Sequence, residues 1–313
     1  MDREERSLTR LLVQPEDGAG PLLAAIDSAR RTLDLYVFRL DDQRVAEALK
    51  RAAKRGVAVR ALVAHTRRGG EAGQRKLEVR LRRMRIAVSR SDDDLQRYHG
   101  KMAIVDKRRL LVLGYNFTRR DMEHSRSFGL VLDDRRSVAE AGRMYEADFE
   151  RRAYVPEHGK LVVSPFNSRT VLARIIQQAR RQLLIYDKRL SDGLMLRLIE
   201  RRTQAGVEVR VIGGLERRVK GVAVAAFPGR LHVRAIIQDG RRLFVGSQSL
   251  RRIDLDERRE IGAVISTAAA VTRALKVFQR DWVASQSHAR KSGRRIGPPR
   301  ALLRPVDHRS GRR

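Results

Sequence analysis

Apolar and polar positions alternate along the first half of the chain in the pattern of a layered α/β domain. PLLAAIDSARR (21–31) predicts a helix that Pro21 opens, and TLDLYVF (32–38) predicts a strand. VAEALKRAAKR predicts a helix capped by Asp41 or Asp42 and ended by Gly56. VAVRALVAH (57–65) predicts a strand apolar enough for a sheet covered by helices. The basic stretch 66–85 predicts part loop and part helix.

The second half repeats this order at an offset of 150 residues, so that Tyr36 matches Tyr186 and Gly56 matches Gly206. Ser191 or Asp192 is the expected cap of the second-half helix, and a helix over 268–285 closes the half. Repeated β-α-β units predict an α/β fold of two pseudo-symmetric α-β-α repeats packed around one shared site. We place the boundary near 156–159, which gives repeats over 1–157 and 158–285 and a flexible basic tail over 286–313.

Each repeat also carries an apolar hairpin that begins with histidine. HGKMAIVDKRRLLVLGYN (99–116) places His99 and Lys101 on the same face of a strand, and a basic turn separates its two apolar runs. HVRAIIQDGRRLFVGSQS (232–249) repeats the spacing with His232 and Arg234. His232 comes earlier than the common offset would place it, so the second half lacks a segment between its second strand and its hairpin. The missing part corresponds to the basic stretch after His65.

This recurrence favours a shared phosphate site over a solvated strand edge, which is what one His-x-Lys pair usually indicates. Two imidazoles beside fixed cations suit attack on a phosphate ester, because the cations hold the non-bridging oxygens. The tightest acidic run, Asp92-Asp93-Asp94, lacks the alternating spacing of a calcium loop, and we interpret it as a solvated loop.

Composition narrows the classes of function. The chain has no cysteine, which excludes disulfides, thiolate metal sites and cysteine nucleophiles. It shows no apolar signal core and no run of 18 apolar residues, so we expect no membrane span and a cytoplasmic location, with peripheral membrane contact as an option. The net charge of +31 suits nucleic acid, an anionic membrane or an acidic substrate, although an Arg-rich codon bias also raises it. Aromatic residues make up only 5%, which weakens a base-stacking interpretation.

The two hairpins resemble the HKD motifs of the phospholipase D superfamily, whose pattern is His-x-Lys, four residues, Asp, six residues, Gly-Ser, one residue, Asn. The resemblance extends over roughly residues 20–285. The first copy departs from it at Gly114, which comes one place late, and the second at Arg234 and Ser249. The family's Glu, eleven residues past the Asn, is matched by Glu260 in copy two, while Ser127 stands there in copy one.

The resemblance implies a ping-pong reaction without metal or cofactor, in a monomer with pseudo-twofold symmetry. His99 is then the nucleophile and His232 the acid, and Glu260 orients His232. Phosphate-binding roles are expected for Lys101, Arg234, Asn116, Ser249 and Gln248. Support of the hairpins is expected from Asp106, Asp239, Gly114, Gly246 and Ser247.

The resulting hypothesis is a phosphodiesterase or phosphatidyltransferase, similar to cardiolipin synthase-type enzymes, that acts on phospholipid at an anionic membrane surface. Two alternatives stay open. One is a nuclease of the same superfamily, which the charge would suit. The other is a degenerate member that binds phosphate polymers without turnover, which Arg234 and Ser249 would favour.

Overall fold

A computed structural model describes residues 9–65, 71–157 and 159–291. The first half contains thirteen helices and strands among these residues: β1 (Arg10–Gln14), α1 (Gly20–Ser28), β2 (Thr32–Val37), α2 (Gln43–Lys54), β3 (Ala58–Val63), α3 (Ala72–Arg83), β4 (Ala87–Arg90), β5 (Arg97–Tyr98), β6 (Met102–Val105), β7 (Arg109–Leu113), α4 (Arg119–Glu123), β8 (Ser127–Leu132) and α5 (Arg135–Phe149).

The second half continues with a shorter series of the same kind: β9 (Leu161–Val163), α6 (Ser168–Gln177), β10 (Gln182–Leu190), α7 (Gly193–Gln204), β11 (Glu208–Leu215), β12 (Val222–Ala225), β13 (Ala235–Gln238), β14 (Arg242–Gly246), α8 (Arg252–Asp256), β15 (Arg258–Arg259), β16 (Ile261–Ile265) and α9 (Ala268–Lys291).

Both halves build a seven-stranded sheet of the same topology. The first has the order β1-β8-β7-β6-β2-β3-β4, and the second has the matching order β9-β16-β14-β13-β10-β11-β12. Strands β2, β3 and β4 are parallel, as are β10, β11 and β12, and the hairpin strands join antiparallel. The α/β fold of two pseudo-symmetric repeats is therefore present in the structure.

Equivalent local sequences produce these equivalent elements. The carboxylate of Asp42 accepts hydrogen bonds from the backbone of Arg44 and Val45 at the start of α2. Asp192 does the same at the start of α7. The chain leaves each helix through a glycine with positive φ, 85° at Gly56 and 84° at Gly206, a conformation that costs glycine little.

Three layers of apolar packing surround the two sheets. Helices α1, α2 and α3 cover the outer face of the first sheet, and α6 and α7 cover that of the second. Helices α5 and α9 lie between them and share one core with the inner faces of both sheets. This common core fixes the two sheets relative to each other, and with them the two histidine hairpins.

The structure also contains elements that the sequence analysis does not predict. They include the edge strands β1 and β9 and the short helices α4 and α8. Helix α9 continues to Lys291, so the prediction of a flexible tail from residue 286 is wrong over 286–291. Residues 292–313 of that expected tail lie outside the described residues.

The segment that the second half lacks corresponds to helix α3. In the first half α3 links β3 to β4, whereas β11 leads to β12 through residues 216–221 without a helix. The mixed stretch after His65 thus contains a helix that is present in one repeat only. Within the described part of the chain, no helix has the length and apolar character needed to cross a membrane.

Candidate active site

A partly buried aspartate anchors the turn of each histidine hairpin. In the β6–β7 turn, the Asp106 carboxylate accepts hydrogen bonds from the backbone N–H groups of residues 30, 31 and 32, at 2.7–3.2 Å. Asp239 in the β13–β14 turn makes the same set of bonds to residues 180, 181 and 182, again at 2.7–3.2 Å. Both aspartates have positive φ, 51° and 53°. They hold the hairpin to the preceding helix and strand, at the end of the hairpin opposite the histidine.

The opposite repeat holds the backbone of each histidine. The His99 N–H donates to the Arg259 carbonyl at 2.8 Å, and the short strands β5 and β15 pair beside this contact. The His232 N–H donates to the Arg126 carbonyl at 2.9 Å, next to a bridge between Arg126 and Leu231. Each imidazole is therefore supported by a distant segment of the chain that belongs to the other repeat.

A carboxylate and an ammonium bracket the imidazole of His99. Nδ1 lies 2.9 Å from both oxygens of Glu260, and Nε2 lies 2.9 Å from Lys101 Nζ. The ring of Phe38 packs edge-on at 4.5 Å between centroids. A carboxylate at Nδ1 favours the tautomer with the proton on Nδ1, so Nε2 carries the lone pair. The prediction that Glu260 orients His232 is therefore wrong, because the strands pair across the repeats and bring Glu260 to His99.

Asp121 takes the corresponding place beside His232. Its Oδ2 lies 3.7 Å from His232 Nδ1, a longer separation than the one at His99. The same carboxylate accepts from the Asn116 amide at 2.7 Å and from the Asn116 backbone at 3.0 Å, and it forms an ion pair with Arg230. The Asn116 amide group thus binds Asp121 instead of pointing freely at a substrate. Ser127, at the position of the family's glutamate, donates to the His232 carbonyl at 3.4 Å.

The surroundings of His99 and of His232, the two half-sites, influence each other through their charges. Burial, followed by the positive charges of Lys101 and Arg234, lowers the pKa of His99 well below its ordinary value. Burial, Arg234 and Lys101 lower the pKa of His232 in the same way, and Asp121 opposes them. Since both cations act on both imidazoles, the four side chains share one site. Each imidazole-bearing side chain remains 15% exposed, so both can be reached from solvent.

The pKa values of the two carboxylates and of Lys101 are shifted as well. Burial lowers the pKa of Lys101 to about 7, although Glu260 opposes this and Arg234 adds to it. Burial raises the pKa of Glu260. Burial of Asp121 also opposes its ionisation, but His232, Asn116 and Arg230 outweigh it and lower the pKa of Asp121 to about 2. Asp121 is therefore a permanent negative charge near His232.

The cations of the two motifs occupy matching positions despite their different chemistry. Lys101 Nζ donates to the His99 carbonyl at 2.5 Å, and Arg234 Nη1 donates to the His232 carbonyl at 2.7 Å. Lys101 is fully buried, whereas Arg234 is partly buried and its Nε has no hydrogen-bond partner in the described structure. The guanidinium thus retains donors for a phosphate oxygen.

The polar residues at the end of β14 bind protein groups. Gln248 Nε2 donates to the Val162 carbonyl at 2.8 Å, and Ser249 Oγ donates to Asp187 at 2.8 Å. The substrate contacts expected of both residues stay predictions. Ser247 Oγ bonds to both backbone groups of Ile261.

Gly114 and Gly246 lie in closely packed backbone, and Gly114 also faces the backbone of the other repeat. A Cβ on Gly114 would lie 2.7 Å from the Phe128 carbonyl oxygen and 3.1 Å from that of Gly246. A Cβ on Gly246 would lie 2.7 Å from the Gly262 Cα. Any side chain at these positions would therefore push the strands apart, which is the kind of support that the sequence analysis assigned to them.

Two buried networks cross between the repeats behind the histidines. Arg259 Nη2 donates to Asp148 on α5 at 2.8 Å, and the Tyr36 hydroxyl donates to the other oxygen of Asp148 at 3.0 Å. In the matching network, Arg126 and the Tyr186 hydroxyl bind Asp281 on α9 at 3.1 and 2.7 Å. These arginines carry the carbonyls that hold His99 and His232. The networks consequently position both histidines.

Sequence reasoning missed five contributors to the site: Asp121, Phe38, Arg230, Arg126 and Arg259. The sequence did contain a signal for some of them. The spacing that relates His99 to His232 also relates Asp121 to Asp254, Arg126 to Arg259, and Asp148 to Asp281. These pairs lie downstream of the hairpins, where the comparison of the repeats did not extend.

Acidic and histidine side chains are not grouped as metal ligands in the described residues. These residues contain no cluster of three or more His, Asp or Glu side chains close enough to hold a metal ion. In the run at 92–94, Asp94 accepts from the Tyr98 hydroxyl at 2.7 Å, and Asp92 accepts from the backbone of Asp93 at 2.9 Å. The members of this run therefore bind protein groups.

Comparison with known proteins finds similar sequences for part of the chain. Residues 22–152 match a family model described as "Cardiolipin synthase, PLD-like domain". Mitochondrial cardiolipin hydrolase of Mus musculus is 31% identical over 140 residues, which are 45% of this chain and 60% of the mouse protein. This chain therefore matches less than two thirds of that relative.

Two solved structures share the fold over both repeats. Polyphosphate kinase from Porphyromonas gingivalis aligns with a TM-score of 0.73 and 16% identity, over 87% of this chain and 46% of that one. Phosphatidylserine synthase from Haemophilus influenzae Rd KW20 aligns with a TM-score of 0.67 and 11% identity, over 88% and 86% of the two chains. At these identities the likeness concerns the fold alone.

The fold and the site define a class of two-repeat α/β proteins, in which each repeat supports the histidine hairpin of the other. Over residues 22–152 the chain is similar to the phospholipase D-like domain of the cardiolipin synthase type, the superfamily that the two hairpins resemble.

Proposed function

We propose that the protein is a phosphodiesterase or phosphatidyltransferase that acts on phospholipids through a phosphohistidine intermediate. The observation that carries the proposal is the arrangement of His99, with Glu260 at Nδ1 and Lys101 at Nε2, both at 2.9 Å. Glu260 directs the proton to Nδ1, which leaves the lone pair of Nε2 for attack on phosphorus. His232, beside the permanent charge of Asp121, is the better candidate for the acid.

The proposed reaction has two steps. His99 Nε2 attacks phosphorus, and the bond to the leaving alkoxide breaks as His232 donates its proton to that oxygen. Water or an alcohol then attacks the phosphohistidine and gives its proton to His232, which releases the product and restores His99. Lys101 and Arg234 bind the non-bridging oxygens in both steps. The negative charge of a bound phosphodiester raises the pKa of His232, which supplies the protonated acid that burial disfavours in the free protein.

The roles of His99 and His232 are the ones expected from the sequence, but the reason differs. The sequence argument gave His232 its acidity through Glu260, whereas the structure puts Asp121 near His232. Asp121 carries a pKa of about 2 and is ionised throughout the physiological range, so its charge favours the imidazolium form of His232.

The choice of a lipid substrate rests on the relatives. The matching family model is described as cardiolipin synthase-like, and the mouse relative is named a cardiolipin hydrolase. The net charge of +31 would equally suit a nuclease, which is the second candidate. A degenerate binder is disfavoured, because both imidazoles keep a carboxylate and a cation.

The deciding experiment compares vesicles that contain phosphatidylglycerol or cardiolipin with plasmid and single-stranded DNA, at equal phosphate and matched salt. We expect release or exchange of lipid headgroups that is lost in the double variant His99→Asn/His232→Asn. Activity should also persist in EDTA, because Lys101 and Arg234 supply the charge at the phosphate. Cleavage of DNA that depends on His99, without any lipid product, would replace the lipid assignment with the nuclease.

A further inference from the structure

Helix α3, which has no counterpart in the second repeat, forms a basic surface near the candidate active site. Lys76, Val79 and Arg83 are exposed on α3, and Lys50 is exposed on the neighbouring helix α2. We call these four residues the α3 surface. A cleft of about 560 Å³ lies between the two helices at this surface.

The α3 surface is adjacent to the site through a direct chain of contacts. Near the start of α3, Gln74 Nε2 donates to the carbonyl of Ala64 at 3.2 Å and to that of Phe38 at 3.4 Å. The Phe38 ring packs against His99 at 4.5 Å and lies 5.2 Å from Lys101 Nζ. The start of helix α3 is thus bound to residues that line the site.

The cations of this surface are available to a partner. Within the described part of the chain, Lys50, Lys76 and Arg83 form no ion pair, whereas Arg82 on the same helix pairs with Glu78 at 3.0 Å. The one acidic side chain that lines the cleft is Glu47, and it accepts from Gln43. The surface therefore has a net positive charge that complements a polyanion.

An exposed apolar residue at the centre of the α3 surface favours a lipid bilayer over nucleic acid as its partner. Val79 is 49% exposed and is one of five large apolar side chains exposed in the described residues. It lies between Lys76 and Arg83 on the same helix, and Met84 lines the same cleft. A phosphate backbone gains nothing from an exposed valine. A bilayer interface accepts such a side chain at the headgroup boundary while basic residues bind anionic headgroups.

We infer that the α3 surface is the site by which this protein docks on an anionic lipid bilayer, with the phosphodiester site facing the same membrane. The inference deepens the proposed function and rests on it for the choice of lipid over other polyanions. It also gives a reason for the insertion in repeat one, because repeat two passes from β11 to β12 without a helix.

Binding to vesicles tests the inference without any need for turnover. The variant is Lys76→Glu/Arg83→Glu, measured by co-sedimentation with vesicles of phosphatidylglycerol and phosphatidylcholine. We expect its affinity to fall at least ~30-fold, since each basic residue near an anionic surface contributes on the order of five-fold. Circular dichroism and the thermal midpoint confirm that the variant is folded.

The matched control is Arg201→Glu/Lys276→Glu. It changes the net charge equally at two exposed basic residues of α7 and α9, neither of which has an ion-pair partner in the described structure. We expect its affinity for anionic vesicles to stay within about three-fold of the original chain. An equal loss in the control would mean that net charge alone attracts the protein, and would overturn the inference.

The second variant, Val79→Ser, separates lipid from nucleic acid. We expect it to weaken vesicle binding about three-fold and to leave binding to duplex DNA unchanged, because only the bilayer takes up the apolar side chain. If Lys76→Glu/Arg83→Glu weakens binding to DNA and not to vesicles, the surface is a nucleic-acid interface and the inference is wrong. Vesicle binding is also measured with the His99→Asn/His232→Asn variant, so that docking and turnover are tested separately. If the protein binds vesicles but turns over no lipid, the proposed function is wrong and the docking inference stands.

Discussion

The two half-sites share one scaffold and differ in the groups that face the substrate. Around His99 the carboxylate of Glu260 lies at 2.9 Å and the cation is a buried lysine. Around His232 the carboxylate of Asp121 lies at 3.7 Å and the cation is an arginine. A short contact fixes a tautomer, and a more distant permanent charge stabilises a cation. This difference supports the proposed assignment of the nucleophile to the first half-site and of the acid to the second.

Replacement of each histidine in turn should give the largest effect. With bis(p-nitrophenyl) phosphate, His99→Asn should lower kcat by ~10⁴ or more, because no nucleophile remains. His232→Asn should keep a burst of p-nitrophenol, because this leaving group departs without a proton. Rapid-quench kinetics and mass spectrometry of the trapped protein measure both outcomes. A burst in His99→Asn, or phosphate on His232, would reverse the roles.

Loss of a buried arginine should destabilise either half by a similar amount. Arg259→Met leaves Asp148 buried without its cation, and Arg126→Met removes the closer cation of Asp281, which keeps only Arg280 at 3.9 Å. Each should cost about 3–5 kcal/mol in the free energy of unfolding, measured in urea. Arg259→Met/Asp148→Leu should recover part of the loss, since no unpaired charge remains. A large difference between the two arginines would show that the scaffold itself is asymmetric.

The two carboxylates should differ in their effect on the rate. Glu260→Gln should lower kcat by about 10²–10³, because an amide cannot hold the Nδ1 proton against the competing tautomer. Asp121→Asn should lower it about ten-fold, in keeping with its longer distance. Glu123→Gln, a partly exposed carboxylate outside the site, serves as control and should stay within about two-fold. The opposite ranking would assign the nucleophile to the other half.

The pH dependence should reveal the lysine of the first half. With a pKa of about 7, Lys101 is protonated below pH 7 and loses its charge above it, so kcat/KM should fall as pH rises from 7 to 9. Lys101→Arg should move this fall to higher pH, because a guanidinium stays protonated. The reciprocal change, Arg234→Lys, should add a second alkaline decline. A profile that Lys101→Arg leaves unchanged would assign the titration to another group.

The sequence was sufficient for features that depend on local patterns. Periodicity and spacing along the chain predict the hairpins and the shortening of the second half, and they narrow each helix cap to two neighbouring residues, of which the structure uses Asp42 and Asp192. Each such element is specified by its own side chains, so two copies of the pattern produce two copies of the structure.

The partners of the imidazoles were not predictable in this way. Glu260 reaches His99 because the two-residue strands β5 and β15 pair across the repeats, and strands of that length have no sequence signature. Asp121 follows a capping threonine in a short helix, where acidic residues are common for local reasons. Only the tertiary arrangement gives either carboxylate its role.

The crossed support of the histidines also affects how the site forms during synthesis. A nascent chain that has completed its first repeat contains His99 and Lys101 but lacks Glu260 and the carbonyl of Arg259. The candidate active site therefore cannot be complete until translation has passed Glu260 and both repeats have folded together. A truncated or half-folded product would carry the residues of the first motif without the carboxylate and the carbonyl that position His99.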